Sequence, residues 1–188
     1  MKVLIVIATL AALGLAAALG TVLLGLPDVA ATTPHWKVTR WVLSTTMENA
    51  VERRAAALPA PEDLADPVRV RAGAAAYDDM CSVCHAAPGT DAGPIAEGLL
   101  PEPPELAEEA EEWTPAELFW ITKHGVRMTG MPAFGPSHED PDLWDLVAFL
   151  RKLPDLSPAE YRALLDRREA EHGGRRAPQE SDEHDHAH

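Results

Sequence analysis

Cys81-Ser82-Val83-Cys84-His85 constrains the fold more than any other stretch of this chain. C-x-x-C-H is the attachment signature of c-type haem. Each thiol adds across one porphyrin vinyl group, and the next histidine reaches the iron from the same face through an imidazole nitrogen. The chain holds two cysteines, both in this motif, so no thiol remains for a disulfide. A structural zinc site takes four ligands, usually from two such pairs, and a second pair is missing. A thioredoxin-like pair follows a strand in a βαβ setting, whereas residues 72–80 read as a helix. One covalently attached haem c is therefore expected, bonded to Cys81 and Cys84 with His85 on the iron.

Haem iron in an electron carrier commonly takes a second protein ligand, and methionine sulfur raises its potential. The segment His124-Gly125-Val126-Arg127-Met128-Thr129-Gly130-Met131-Pro132-Ala133-Phe134-Gly135 offers one. Met131 stands between a glycine, which lets backbone approach a flat macrocycle, and a proline, which stiffens the loop. A methionine by itself is more often a core filler. Its place downstream of C-x-x-C-H makes Met131 the expected sixth ligand, with Met128 and His124 as alternatives. His85 and Met131 as metal ligands leave no open position, which favours electron transfer over chemistry at the iron.

With these motifs the chain resembles a monohaem, membrane-anchored class I c-type cytochrome. The matching residues are Gly73 and Tyr77, then Cys81, Cys84 and His85, then the loop with Met131, then Leu143-Trp144-Asp145-Leu146-Val147-Ala148-Phe149-Leu150. The likeness covers residues 66–153 and implies an all-α, cytochrome c-like haem domain. It implies that the first and last helices cross near Gly73, with Phe149 against the glycine. It also implies a proline carbonyl that accepts a hydrogen bond from the ligating imidazole; Pro94 is the first candidate, and Pro101 and Pro104 are near.

The chain has 188 residues and a formal net charge of −14. Residues 3–26 carry no charge and would form a helix about 36 Å long at about 1.5 Å per residue, enough to cross a bilayer core of about 30 Å. A secretory apolar core is usually shorter, so an uncleaved transmembrane anchor is expected, with cleavage after Val29-Ala30-Ala31 as the rival. Trp36 and Trp41 suit an interfacial aromatic belt. Lys37 and Arg40 outnumber Lys2, and a strict positive-inside count would leave the C-terminal part in the cytoplasm. The resemblance implies the opposite, because c-type haem is attached on the exported side. The expected location is the inner membrane, single-pass, with the haem domain facing the periplasm.

Helix-spaced Trp36, Thr39, Val42, Leu43, Met47 and Val51 predict a juxtamembrane helix, lying on the membrane or on a partner. Leu58-Pro59-Ala60-Pro61 opens a stiff linker. Asp66-Pro67, Thr114-Pro115, Asp140-Pro141 and Ser157-Pro158 pair a capping side chain with proline at the first helical position. Thr114 with Glu117 and Ser157 with Glu160 form capping boxes. Leu143, Leu146, Val147 and Leu150 give one helix a buried stripe, and no strand alternation appears. The expected organisation is an anchor at 1–31, a juxtamembrane helix and linker at 32–65, a haem domain at 66–156, and a C-terminal helix with a His- and acid-rich tail at 157–188. Trp113, Phe119 and Trp120 are candidates to line the haem pocket.

Residues 72–122 contain no lysine or arginine and carry a cluster of glutamates from Glu102 to Glu112. Such a run usually marks a solvated helical face, and its functional alternative is steering toward a basic redox partner; nucleic acid does not suit so acidic a domain. His184, His186 and His188 suggest at most weak transition-metal binding, or simply a solubilising tail. No catalytic triad, phosphate loop or paired catalytic carboxylates stand out. The expected function is that of an electron carrier, not an enzyme, with iron cycling between Fe(III) and Fe(II). The alternatives are a cytochrome subunit of a membrane-bound dehydrogenase or oxidase complex, which the tryptophan-bearing helix suggests, and a haem-based ligand sensor.

Overall fold

The computed structural model describes residues 1–173, with side chains to 167. Its described residues are helical and contain no strand. The chain divides into two compact units, Met1–His35 and Trp36–His188. The first is built on α1 (Lys2–Leu23), whose 22 residues are apolar apart from Lys2, Thr9 and Thr21, almost all exposed, and long enough to cross a membrane. It is the one such helix among the described residues.

The second unit holds α2 (Lys37–Ala55), α3 (Pro67–Met80), and three single turns, α4 (Ser82–His85), α5 (Pro94–Glu97) and α6 (Leu106–Glu109). They are followed by α7 (Pro115–His124), α8 (Asp140–Lys152) and α9 (Pro158–Gly173). Local chemistry sets the starts. Asp66 accepts from the Val68 amide at 2.7 Å, with Pro67 as the first helical residue of α3. Thr114 and Glu117 close a reciprocal capping box on α7, and Ser157 and Glu160 do the same on α9. The fourth expected cap is displaced by one residue. Glu139 caps α8, its amide donating to Asp142 at 3.2 Å, so Asp140 is helical and Pro141 stands second.

The core forms where α3 crosses α8. Glycine inside a helix costs about 1 kcal/mol relative to alanine, and here no other residue fits. A Cβ on Gly73 would stand 2.0 Å from the Asp145 carbonyl oxygen and 2.8 Å from Cβ of Phe149. The crossing buries Tyr77 against Phe149, ring centroids 5.1 Å apart, together with Leu143, Leu146, Val147 and Leu150. Arg69 bridges the two helices through Asp145 at 2.6 Å and also holds Asp63.

Two flanking helices are more integrated than their sequences predict. The second half of α2 packs on α7, burying Val51 and Ala55, with the Arg54 guanidinium 5.8 Å from the Trp120 ring centre. Tyr161 of α9 is buried beside Phe149 and donates to Asp78 at 2.8 Å. The helix expected to lie outside the haem domain thus closes its core. The histidines at 184, 186 and 188 lie outside the described residues.

Candidate functional site

Cys81 ends α3 and starts α4, so the C-x-x-C-H motif is one helical turn. The amides of Cys84 and His85 both donate to the Cys81 carbonyl, at 3.0 and 2.9 Å. This turn sets the two sulfur-bearing residues three positions apart on one helical side, with the imidazole directly after the second. The chain then reverses at Ala86, whose φ of 59° and ψ of −179° lie in a region that side-chain-bearing residues rarely occupy. Such a residue costs about 1–3 kcal/mol unless its surroundings hold it. Tyr77 supplies that hold, its hydroxyl donating to the Ala86 carbonyl at 2.7 Å from within the core.

The His85 ring is fixed from the other side. Its Nδ1 lies 2.8 Å from the Pro104 carbonyl oxygen. A carbonyl only accepts, so Nδ1 carries the proton and donates, and Nε2 keeps a free lone pair. Pro104 therefore fills the role for which Pro94 was the first candidate. Pro94 instead opens α5 as its first residue, behind Gly93, whose amide donates to Val83 at 2.9 Å. Burial lowers the imidazole's affinity for a proton, against the opposing pull of Pro104 and the charge of Glu109. A half-buried, neutral, oriented imidazole is the form that ligates iron.

Burial pushes the Cys81 thiol up to about 12, with the neighbouring Cys84 adding to the effect. At neutral pH such a group is a poor thiolate, hence a poor redox nucleophile. A thioether is uncharged and sits in the same apolar surroundings without that penalty. No cluster of three or more histidine, cysteine or acidic residues suited to a metal ion occurs among the described residues. The donor set thus fits a haem bound through thioethers and does not fit a zinc ion.

Opposite in character is the segment carrying Met131. It leaves α7 at Gly125, whose φ is +64° and whose Cβ would strike Pro132 at 2.7 Å. It returns where Phe134 and Gly135 donate to the Thr122 and Lys123 carbonyls, at 3.2 and 2.9 Å. Inside it, Thr129 Oγ1 donates to the Val126 carbonyl at 2.7 Å and accepts from the Met131 amide at 3.1 Å. Met131 is half-buried, whereas Met128 is 67% exposed, and His124 is exposed with its ring against Trp120. Gly130 approaches protein closely: its Cβ would lie 2.5 Å from Cδ2 of Leu99. The methionine loop thereby touches the same segment, residues 86–104, that delivers Pro104 to His85.

The aromatic residues divide. Phe119 is buried and stacks on Trp144 with centroids 4.2 Å apart, and Trp113 packs against the core. Trp120 meets Arg54 of α2 and His124 rather than joining them. The links Leu99–Gly130 and Arg151 to the Trp113 carbonyl at 3.2 Å have no local sequence signal, because each joins distant segments.

Residues 68–150, a little under half of the chain, match the family model described as cytochrome C oxidase, cbb3-type, subunit III. This stretch is a c-type cytochrome domain, which implies covalently bound haem c and haem electron transfer. Among curated proteins, none matches the chain in sequence.

Proposed function

We propose that the chain is a membrane-tethered monohaem cytochrome that passes single electrons between partner proteins. In this reading Cys81 and Cys84 would hold the porphyrin through thioether bonds, and His85 and Met131 would ligate the iron. The bound haem supplies the one-electron Fe(III)/Fe(II) couple. The protein's residues orient and shield it. Pro104 fixes the His85 tautomer and ring direction, and the Thr129 bonds pin the loop from which Met131 projects. Two ligands held in place by their own hydrogen-bonded segments do not need to move when the charge changes. The observation that carries the proposal is the single turn Cys81–His85 with its Nδ1 committed to Pro104. The length and apolarity of α1 support an uncleaved anchor, and the resemblance to c-type cytochromes, whose haem is attached on the exported side, supports a periplasmic haem unit.

Met131→Ala should abolish the iron–sulfur charge-transfer absorption and lower the reduction potential, while the haem stays covalently attached. Met128→Ala should change neither. Loss of the band in Met128→Ala alone would move the ligand assignment. Ready binding of carbon monoxide to the ferrous wild-type protein at neutral pH would favour a ligand sensor.

A second reading makes the chain a stable subunit of a membrane oxidoreductase. The match of residues 68–150 to an oxidase subunit favours it. Purification in mild detergent separates the two: a lone monomer supports the carrier, and a persistent complex supports the subunit.

A further inference from the structure

We infer that α2 is a two-sided docking helix that seats the haem unit on the lipid headgroup surface in one fixed orientation. This rests on the reading of α1 as a membrane anchor. One side of α2 belongs to the protein: Val51 and Ala55 are buried where the helix packs on α7, and Arg54 covers Trp120. The other side carries a second apolar stripe at Val38, Trp41 and Val42, spaced i, i+3, i+4, which turns away from the first. These residues are 61%, 64% and 47% exposed, and Trp36 at the start of the helix is 81% exposed. The outer stripe is confined to the first two turns; beyond it the same side carries Glu48, Asn49 and Glu52.

Three observations point to lipid as the occupant. The exposed residues include two tryptophans, whose flat apolar rings with one polar N–H favour the headgroup level of a bilayer. Residues 24–36 link α1 to α2 and span at most about 45 Å when fully extended, so α2 begins within reach of the surface that α1 crosses. Lys37 and Arg40 stand in the first turn, where the helix dipole disfavours cations and where no acidic residue offsets them. In a chain with net charge −14, the first 47 residues carry Lys2, Lys37 and Arg40 against Asp28 alone. Lys37 and Arg40 stand between Trp36 and Trp41 in the sequence, and their long side chains can reach round to anionic headgroups on the surface that receives the tryptophans. Because the inner side of the same rigid helix is packed on α7, seating the outer side sets how the haem unit faces the bilayer.

The test uses the full, haem-loaded chain in vesicles of phosphatidylethanolamine and phosphatidylglycerol, with and without acyl chains brominated near the headgroup. The emission of the two residues is isolated as the difference between the wild-type chain and Trp36→Phe/Trp41→Phe. Bromine should remove most of that difference, and aqueous acrylamide should hardly reduce it. Val38→Glu/Val42→Glu should reverse both results without altering the haem spectrum or the resistance of the chain to alkaline carbonate extraction. A wild-type chain that resists carbonate yet shows acrylamide quenching and no bromine quenching overturns the docking and spares the anchor. Protection of the tryptophans only after a partner membrane protein is added assigns the stripe to protein and also overturns it. Release of the chain by carbonate overturns the anchor reading and this inference with it.

Discussion

His85 and Met131 are presented by opposite kinds of architecture. The histidine leaves a helical turn continuous with the main core helix, and its ring is bonded at Nδ1 to Pro104. The methionine leaves an irregular loop that closes on its own side chains and on the end of α7. The first arrangement draws its rigidity from the global fold. The second draws it from two glycines and a threonine, so it can open at a fraction of the global unfolding free energy.

Substitutions should separate the two. The largest effect is expected at Gly73→Ala, where the added methyl meets the Asp145 carbonyl and the α3–α8 crossing must part. A loss of about 3 kcal/mol in denaturant unfolding is the expected result. Gly125→Ala strains a residue at φ +64° and presses on Pro132. It should cost about 2 kcal/mol, and the methionine-dependent absorption should disappear before the helices unfold. If both signals are lost together, the loop is not an independent unit.

Tyr77→Phe tests the histidine side more gently. It removes the hydroxyl that holds Ala86, a loss of about 1–2 kcal/mol. It also bears on pH. Burial raises the Tyr77 phenol, and burial with the Asp78 hydrogen bond raises Tyr161. A group raised on folding keeps its proton in the native state when the unfolded chain loses it. The related stability is therefore complete below the unfolded tyrosine value of about 10 and is lost as pH climbs past it. Alkaline unfolding followed by circular dichroism should start near there in the wild type and fall less steeply in Tyr77→Phe. The smallest effect, about 0.5–1 kcal/mol, is expected for Arg54→Ala, which removes the cation over Trp120 and loosens α2 without touching His85 or Met131.

What the sequence made legible was local. Asp66, Thr114 and Ser157 announce helix starts because cap and proline act within one turn. Glu139 escaped notice because glutamate is a weak cap and Asp140-Pro141 offered the stronger pattern one residue later. C-x-x-C-H is equally local. Choosing Pro104 among several prolines depends on the path of an irregular segment with no period to read. The partner of α2 was likewise hidden: Val51 signals burial, but only the tertiary fold supplies α7. α9 read as an appendage because its bond to α3 joins Tyr161 to a residue 83 positions earlier.

The meeting of Leu99 with Gly130 has a mechanical corollary. The strap that bonds to the imidazole and the strap that bears the thioether meet where a methyl at 130 would press on the flexible end of the Leu99 side chain. The gap between the two jaws is then gauged by polypeptide rather than by whatever they grip. A turn of the Leu99 side chain can take up a methyl at 130; a residue too bulky for that would act as a shim, and the softer jaw would yield first.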